Sequence, residues 1–248
     1  MNAEDPIGIF DSGIGGLTVA HAITKILPNE KIVYFGDTQH LPYGNKSPKK
    51  INYYSAKIVD FLFKKKCKAI IIACNTVSSI ALKKLEKKTK NRCVLFNVID
   101  PVVKYVSTNF TIKNIGIIGT PVTISSNIYK KKISAERKDI TIYSLSTPLL
   151  ASLIEENNNK LYKGVIKSYL SDERFANIDS LILGCTHYPL IESQINQFYK
   201  NNIHIISSIK YIGETIKRKL ETENLLNLKQ ENCNPQFYIS DYTKYFQK

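Results

Sequence analysis

Short apolar runs alternate along this chain with longer stretches of helical patterning. The runs are rich in Ile, Val and Leu, and Ile70-Ile71-Ile72 is typical of them. Continuous apolar strands of this kind indicate a sheet that is covered on both faces. Regular alternation of strands and helices predicts parallel β-α-β units, so the pattern predicts an α/β fold.

The predicted elements cover most of the chain. The predicted strands are residues 7–10, 32–35, 69–73, 94–98, 115–118, 141–145, 180–183 and 203–206. The predicted helices are residues 17–27, 51–65, 77–88, 101–105, 125–132, 149–156, 162–170, 190–199 and 211–223.

The chain also repeats itself weakly at a spacing of about 110 residues. The matching segments are 7–12 with 115–120, 33–34 with 142–143, and 71–74 with 182–185. Three matches in the same order predict a duplication. The product would be two pseudo-symmetric domains, each with a mainly parallel sheet flanked by helices, whose strand ends face one ligand cleft. We place the first domain at residues 1–98 plus 208–248 and the second at 99–207.

The positive charge of the chain gives little reason to predict a nucleic-acid-binding protein. The net charge is +14, but only four of the 35 basic residues are arginines. Nucleic-acid sites favour the forked guanidinium, so this balance argues against a dedicated nucleic-acid-binding protein and favours solvated lysine faces. A non-catalytic protein that binds polyanions through its lysines stays open as an alternative of another class.

The sequence lacks the patterns of membrane-spanning, secreted, disulfide-bonded and zinc-binding proteins. No apolar run reaches the ~18 residues of a membrane helix, and the N-terminus has no secretory core, so we expect a cytoplasmic protein. The five cysteines are an odd number without C-x-x-C spacing, which argues against a disulfide framework. No histidine pair has zinc-ligand spacing, and we expect no metal.

Cys74 and Cys185 each follow a predicted strand directly, at corresponding positions of the repeat. A helix is predicted after each, and a thiol beside a helix N-terminus has a lowered pKa. Two thiols on opposite sides of one carbon could invert it, because one removes a proton while the other adds one. This chemistry needs no cofactor. The cysteines that lack this setting, and that we interpret as structural, are Cys67, Cys93 and Cys233.

Polar loops add further candidates. The glycine-rich loop at 11–16 follows the first strand, and its amides can bind an anion, but it is neither a dinucleotide fingerprint nor a P-loop. Asp11 in this loop is as consistent with a helix cap as with a catalytic group. Pro42-Tyr43-Gly44 predicts a turn that exposes a phenol. His187 lies two residues beyond Cys185 and is expected to act with it.

In combination and order, these motifs resemble the glutamate racemases, cofactor-independent bacterial enzymes of the aspartate/glutamate racemase superfamily. The matching stretches are residues 9–19, 35–38, 42–44, 73–76, 116–120 and 183–190.

The resemblance implies a site between two domains, with Cys74 serving D-glutamate and Cys185 serving L-glutamate. It implies assistance from Asp11 and His187, and it adds Glu155, whose role as a catalytic or supporting group stays open. The implied substrate-binding residues are Asp11, Ser12, Tyr43, Gly44, Asn75, Thr76, Thr186 and His187.

The resemblance also implies biological context. The product, D-glutamate, would feed peptidoglycan synthesis, and no cofactor is expected. Members of the family are often homodimers, so a homodimer is one assembly that the resemblance allows. A racemase of aspartate or of another amino acid is the alternative within the same superfamily.

Overall fold

Nine β-strands form two sheets in the computed structural model, which describes residues 1–156, 159–229 and 234–242. The strands are β1 (Ile7–Asp11), β2 (Ile32–Gly36), β3 (Ala69–Ile72), β4 (Val94–Asn97), β5 (Asn114–Gly119), β6 (Thr141–Ser146), β7 (Ser180–Gly184), β8 (His204–Ile206) and β9 (Gln236–Ile239). All strand pairs in both sheets are parallel.

Helices connect these strands. They are α1 (Leu17–Ile26), α2 (Pro48–Lys64), α3 (Asn75–Ile80), α4 (Leu82–Thr89), α5 (Asp100–Thr108), α6 (Pro121–Ser125), α7 (Ile128–Glu136), α8 (Leu150–Glu155), α9 (Asn159–Leu170), α10 (Glu192–Phe198) and α11 (Ile212–Thr222). The described part of the chain contains no helix both long and apolar enough to cross a membrane.

The two sheets have the same internal order. The first sheet runs β4-β3-β1-β2-β9 and the second runs β8-β7-β5-β6. Ile7 pairs with Ile32 and Ala69, while Ile115 pairs with Ile142 and Ser180, so the register matches too. This correspondence confirms the prediction of two pseudo-symmetric, mainly parallel α/β halves.

Helices cover both faces of each sheet, which explains why the strands are continuously apolar. On the first sheet, α1 and α11 contribute Ile23 and Ile216 to one core, and α2 contributes Val59 to the other. On the second sheet, α5 and α9 contribute Val102 and Ile166 to opposite cores. α11 packs on the first sheet and β9 pairs with β2 at its edge. The domain boundaries at 98/99 and 207/208 stay a prediction.

Two predicted helices differ from the observed ones. The helix predicted at 77–88 is α3 and α4, which meet at Ala81. The helix predicted at 125–132 is observed as α7, which begins after Asn127 in the left-handed region at φ 55°, and the preceding α6 was not predicted. Asparagine tolerates that conformation better than most residues do.

Other predicted bounds also shift. The helix predicted at 101–105 extends over Asp100–Thr108, and the one predicted at 190–199 begins as a 3-10 turn at Tyr188–Ile191 before α10. Strand β9 is absent from the prediction, because it is a four-residue edge strand with Gln236 and Phe237 exposed. Cys233 lies outside the described residues.

Candidate active site

One cavity of about 40 Å³ lies between the two halves at the carboxyl ends of their strands. The predicted site residues that line it are Ser12, Tyr43, Gly44, Cys74, Asn75, Thr76, Glu155, Cys185, Thr186 and His187. Cys74 comes from the first half and Cys185 from the second, so both thiols open into the same cavity. The repeat therefore brings together the two groups that the sequence pattern singled out.

The cavity wall also contains residues that the sequence analysis did not name as site residues: Leu41, Pro42, Thr120, Ala151 and Ser152. Thr120 follows β5 directly, as Ser12 follows β1, so the repeat itself could have identified it. Ala151 and Ser152 lie about one helical turn before Glu155 on α8, and residues at that spacing share a helix face. Leu41 precedes a cis peptide bond to Pro42.

Cys74 is buried at the start of α3, and its thiol donates a hydrogen bond to Ser12 Oγ at 3.5 Å. Burial, followed by the nearby Asp11 carboxylate, raises the pKa of Cys74 to about 12. The prediction of a lowered pKa is therefore wrong for this thiol. The bond to Ser12 and the backbone amide of Val77 act in the opposite direction, but desolvation outweighs them in a helix of only six residues.

Cys185 has a different environment. No α-helix begins beside it, because a turn and then the 3-10 turn at Tyr188–Ile191 follow. Its sulfur lies 3.4 Å from Nδ1 of His187, and Nε2 of the same ring lies 2.8 Å from Oε1 of Glu155. These contacts make a continuous chain of proton-carrying groups from α8 to the thiol.

His187 is buried at 5% exposure. Burial acts against the charged ring, but the neighbouring Cys185 sulfur and Glu155 carboxylate outweigh it and hold the pKa of His187 well above its usual value. Glu155 thus contacts the histidine, and the 2.8 Å bond gives it a defined geometric role.

The side chain of Asp11 contacts the start of α1, as the helix-cap alternative predicts. Its Oδ2 accepts a hydrogen bond from the backbone amide of Gly16 at 2.8 Å, at the start of α1. Its Oδ1 is buried and has no hydrogen-bond partner among the described residues. A buried carboxylate oxygen without a donor is unusual and points to a ligand that supplies one. Asp11 does not itself line the cavity wall.

The glycine-rich loop holds the two halves in close contact. A Cβ on Gly15 would lie 2.6 Å from Cε1 of His187, and the hydroxyl of Thr18 donates to the carbonyl of Thr186 at 3.2 Å. The amides of residues 16–20 are used by Asp11 and by the first turn of α1. Of the loop amides at 11–16 that were predicted to bind an anion, the amide of Gly16 is therefore not available to a ligand.

Tyr43 is held in place by the buried carboxylate of Asp37. Its hydroxyl donates to Oδ2 of Asp37 at 2.5 Å, and Asp37 also accepts from Ser240 at 2.7 Å, beyond the end of β9. Nδ1 of His40 lies 2.8 Å from the same carboxylate. The loop that carries Tyr43 and Gly44 into the cavity is thereby tied to the last described strand.

Contacts between the halves continue on the other side of the cavity. Oγ1 of Thr76 lies 2.9 Å from Oγ1 of Thr120, and a Cβ on Gly44 would lie 2.7 Å from Cβ of Thr120. The described cavity wall contains no lysine or arginine. An anionic ligand would therefore be bound by neutral donors such as hydroxyl, amide and backbone N–H groups.

Comparison with known proteins agrees with this architecture. The family model described as Asp/Glu/Hydantoin racemase matches residues 15–212. The chain is 39% identical to a glutamate racemase of Neisseria meningitidis serogroup C over 97% of this chain and 89% of that protein.

Solved structures are similar over the whole fold. One is the glutamate racemase of Francisella tularensis in complex with D-glutamate, at a TM-score of 0.91 and 38% identity over 98% of this chain and 91% of that one. A glutamate racemase isoform of Bacillus anthracis has a TM-score of 0.90 and 32% identity over 99% of this chain and 92% of that one.

Proposed function

The chain belongs to the Asp/Glu/hydantoin racemase family, and from this membership we infer that it is a glutamate racemase that interconverts L- and D-glutamate. The observation that carries the proposal is that Cys74 and Cys185, from two pseudo-symmetric halves, line one cavity. Glutamate is favoured over aspartate because relatives that match nearly the whole chain at 36–39% identity are glutamate racemases.

We propose a two-base reaction at the α-carbon. For L-glutamate, the Cys185 thiolate removes the α-proton, and the Cys74 thiol returns a proton to the opposite face. The pKa of about 12 keeps Cys74 protonated at neutral pH, so the free protein holds it ready as the acid for this direction. D-glutamate reacts in reverse, after the thiols have exchanged protonation states.

His187 and Asp11 would assist the two thiols. His187 lies within 3.4 Å of the Cys185 sulfur and can take its proton, and Glu155 stabilises the charged ring that results. Asp11 lies on the Cys74 side, where its unpaired Oδ1 can accept from the substrate ammonium group. The ammonium charge would also offset the carboxylate that raises the pKa of Cys74 in the free protein.

The substrate carboxylates would be held by neutral donors. We propose Ser12 and the backbone N–H groups of the Tyr43-Gly44 turn in the first half, and Thr186 in the second, because the Tyr43 hydroxyl already donates to Asp37. Asn75 and Thr76 complete the set next to Cys74. Hydrogen bonds to ionised carboxylates are stronger than neutral ones, so such donors can bind two carboxylates without a cation.

A circular-dichroism assay on a panel of amino acids, without added cofactor, tests the proposal. L-glutamate should lose its signal to zero, and D-glutamate should do the same from the opposite sign. Aspartate and glutamine should react at least about two orders of magnitude more slowly in kcat/KM, because each leaves polar groups of the site unpaired. Faster racemisation of aspartate would move the protein to the aspartate branch of the superfamily.

Three further expectations rest on the sequence and on family resemblance. They are a cytoplasmic location, a homodimeric assembly and a product that feeds peptidoglycan synthesis. Light scattering after size-exclusion chromatography tests the dimer, and complementation of a D-glutamate auxotroph tests the supply of D-glutamate.

A further inference from the structure

The side-chain amide of Asn75 forms a hydrogen bond through its oxygen but none through its nitrogen among the described residues. Asn75 is 2% exposed and follows Cys74 in the cavity wall. Its Oδ1 accepts a hydrogen bond from the hydroxyl of Tyr129 at 2.6 Å, whereas its Nδ2 has no partner among the described residues. A buried N–H group is rarely left without an acceptor, so this amide points to a ligand oxygen in the cavity.

Tyr129 reaches Asn75 from the other half of the molecule. It lies on α7, is 3% exposed, and packs with Ile133 and Ile182 in a core of the second half. Burial raises the pKa of Tyr129, so its hydroxyl keeps its proton and acts as a donor throughout the neutral range. A protonated hydroxyl can also accept, but Asn75 Oδ1 is the one acceptor recorded for the Tyr129 O–H group among the described residues. A rotated amide would leave that buried O–H group without an acceptor, so the hydroxyl favours the orientation in which the amide oxygen faces it.

We propose that Tyr129 is a positioning residue, which fixes the Asn75 amide so that its NH₂ group faces the cavity and donates to a substrate carboxylate. The inference rests on the proposed function and deepens it. If the proposal holds, the hydrogen bond from Asn75 to the substrate carboxylate has a fixed orientation. That bond then depends on Tyr129, which does not itself touch the substrate.

The geometry predicts what happens without the Tyr129 hydroxyl. The amide would be free to rotate and to present its oxygen to the cavity, where it repels a carboxylate. Because the carboxylate is bound in both the ground state and the transition state, the loss falls mainly on KM. Tyr129→Phe is expected to raise KM for both enantiomers about tenfold and to change kcat less than threefold.

A matched control is available in Tyr199. Its hydroxyl is also buried and has no partner among the described residues, and Tyr199 does not line the cavity. Tyr199→Phe removes the same buried hydroxyl from a half-buried tyrosine and should leave KM and kcat unchanged. An equal rise of KM in both variants would overturn the proposal, because it would reflect a general effect of removing a buried hydroxyl.

A double-mutant cycle separates positioning from a structural role. If Tyr129 acts only through Asn75, Tyr129→Phe combined with Asn75→Ala should have the KM of Asn75→Ala alone. Additive effects of the two substitutions would overturn the proposal. Asn75→Asp provides a second test that leaves Tyr129 intact, since it keeps the acceptor oxygen and replaces the donor NH₂ group by a carboxylate oxygen.

Asn75→Asp should raise KM for glutamate at least a hundredfold, while thermal unfolding still shows a folded protein. Normal KM in Asn75→Asp would overturn the proposal even if Tyr129→Phe failed to fold. The outcomes also distinguish a failure of the proposed racemase function from a failure of the proposed role of Tyr129. An inactive wild-type protein would reject the racemase function, whereas an active wild type with unchanged KM in Tyr129→Phe would reject only this inference.

Discussion

Nε2 of His187 lies 2.8 Å from Oε1 of Glu155, and this bond links the helix α8 to the Cys185 side of the cavity. The carboxylate helps to keep the pKa of His187 above its ordinary value of 6.5. The protonated ring therefore stabilises the folded state. This contribution is full below pH 6.5 and is lost as the pH rises through the raised pKa of the folded protein.

Glu155→Gln tests this relationship. We expect kcat/KM to fall about tenfold in both directions, because the neutral amide stabilises the charged ring less well. The alkaline limb of the pH–rate profile should shift to lower pH, since the pKa of His187 falls. The wild type should be more stable to urea than Glu155→Gln near pH 6, and this difference should narrow at higher pH. An unchanged profile would contradict the assigned contact.

The raised pKa of Cys74 predicts unusual alkylation behaviour. An ordinary thiol has a pKa of about 8.5, so its alkylation rate levels off above about pH 9.5. A pKa of about 12 instead leaves the logarithm of the rate rising linearly between pH 7.5 and 10. Peptide-level mass spectrometry after iodoacetamide treatment measures the rate at Cys74 alone. A rate that levels off by about pH 10 would show that burial does not control this thiol.

Asp11→Asn extends the same experiment. The amide oxygen can still accept from Gly16, but the negative charge that helps to raise the pKa of Cys74 is gone. Alkylation of Cys74 should therefore become faster, while racemisation becomes slower because the substrate ammonium loses its charged partner. Parallel changes in both rates, in the same direction, would argue against separate electrostatic and substrate-binding roles of Asp11.

Gly15 is predicted to be essential because there is no room for a side chain at this position. Its Cβ position lies 2.6 Å from both Cε1 of His187 and Oγ1 of Thr186, so Gly15→Ala must displace the histidine. We expect kcat/KM to fall at least a hundredfold, since general acid/base groups contribute about 10²–10⁴ when correctly placed. Gly164→Ala is the matched control: beyond its chain neighbours and its own helix backbone, no atom of the described residues lies within 4 Å of its Cβ position, and activity should be unchanged.

The strand ends and the repeat were the parts of the site that the sequence could predict. Strand periodicity located Cys74 and Cys185, and the repeat showed that they correspond, because both features are local in the chain. The raised pKa of Cys74 could not be predicted, since it depends on how deeply the thiol is buried once the two halves have packed together. Tyr129 and Ser240 were missed for a similar reason: each reaches the site through a hydrogen bond between distant segments.

The two thiols should be separately essential. Cys74→Ser and Cys185→Ser should each abolish racemisation in both directions, because a serine hydroxyl is far too weak an acid to supply the base. Each variant should still eliminate HX from a suitable glutamate analogue, which needs only one deprotonation. Cys67→Ser makes the same change at a buried cysteine outside the cavity and should retain nearly full turnover. Near-normal racemisation by Cys185→Ser would contradict the assignment.

Exchange of the α-proton with solvent at low conversion tests the two-base reaction most directly. L-glutamate is incubated with the wild-type protein in D₂O, and the α-position of both enantiomers is followed at low conversion by NMR and chiral separation. If Cys185 removes the proton and Cys74 delivers another, the D-glutamate formed carries deuterium while the remaining L-glutamate keeps its protium. D-glutamate that retains the original proton, or L-glutamate that exchanges as fast as product forms, would contradict a reaction between two thiols on opposite faces of the substrate.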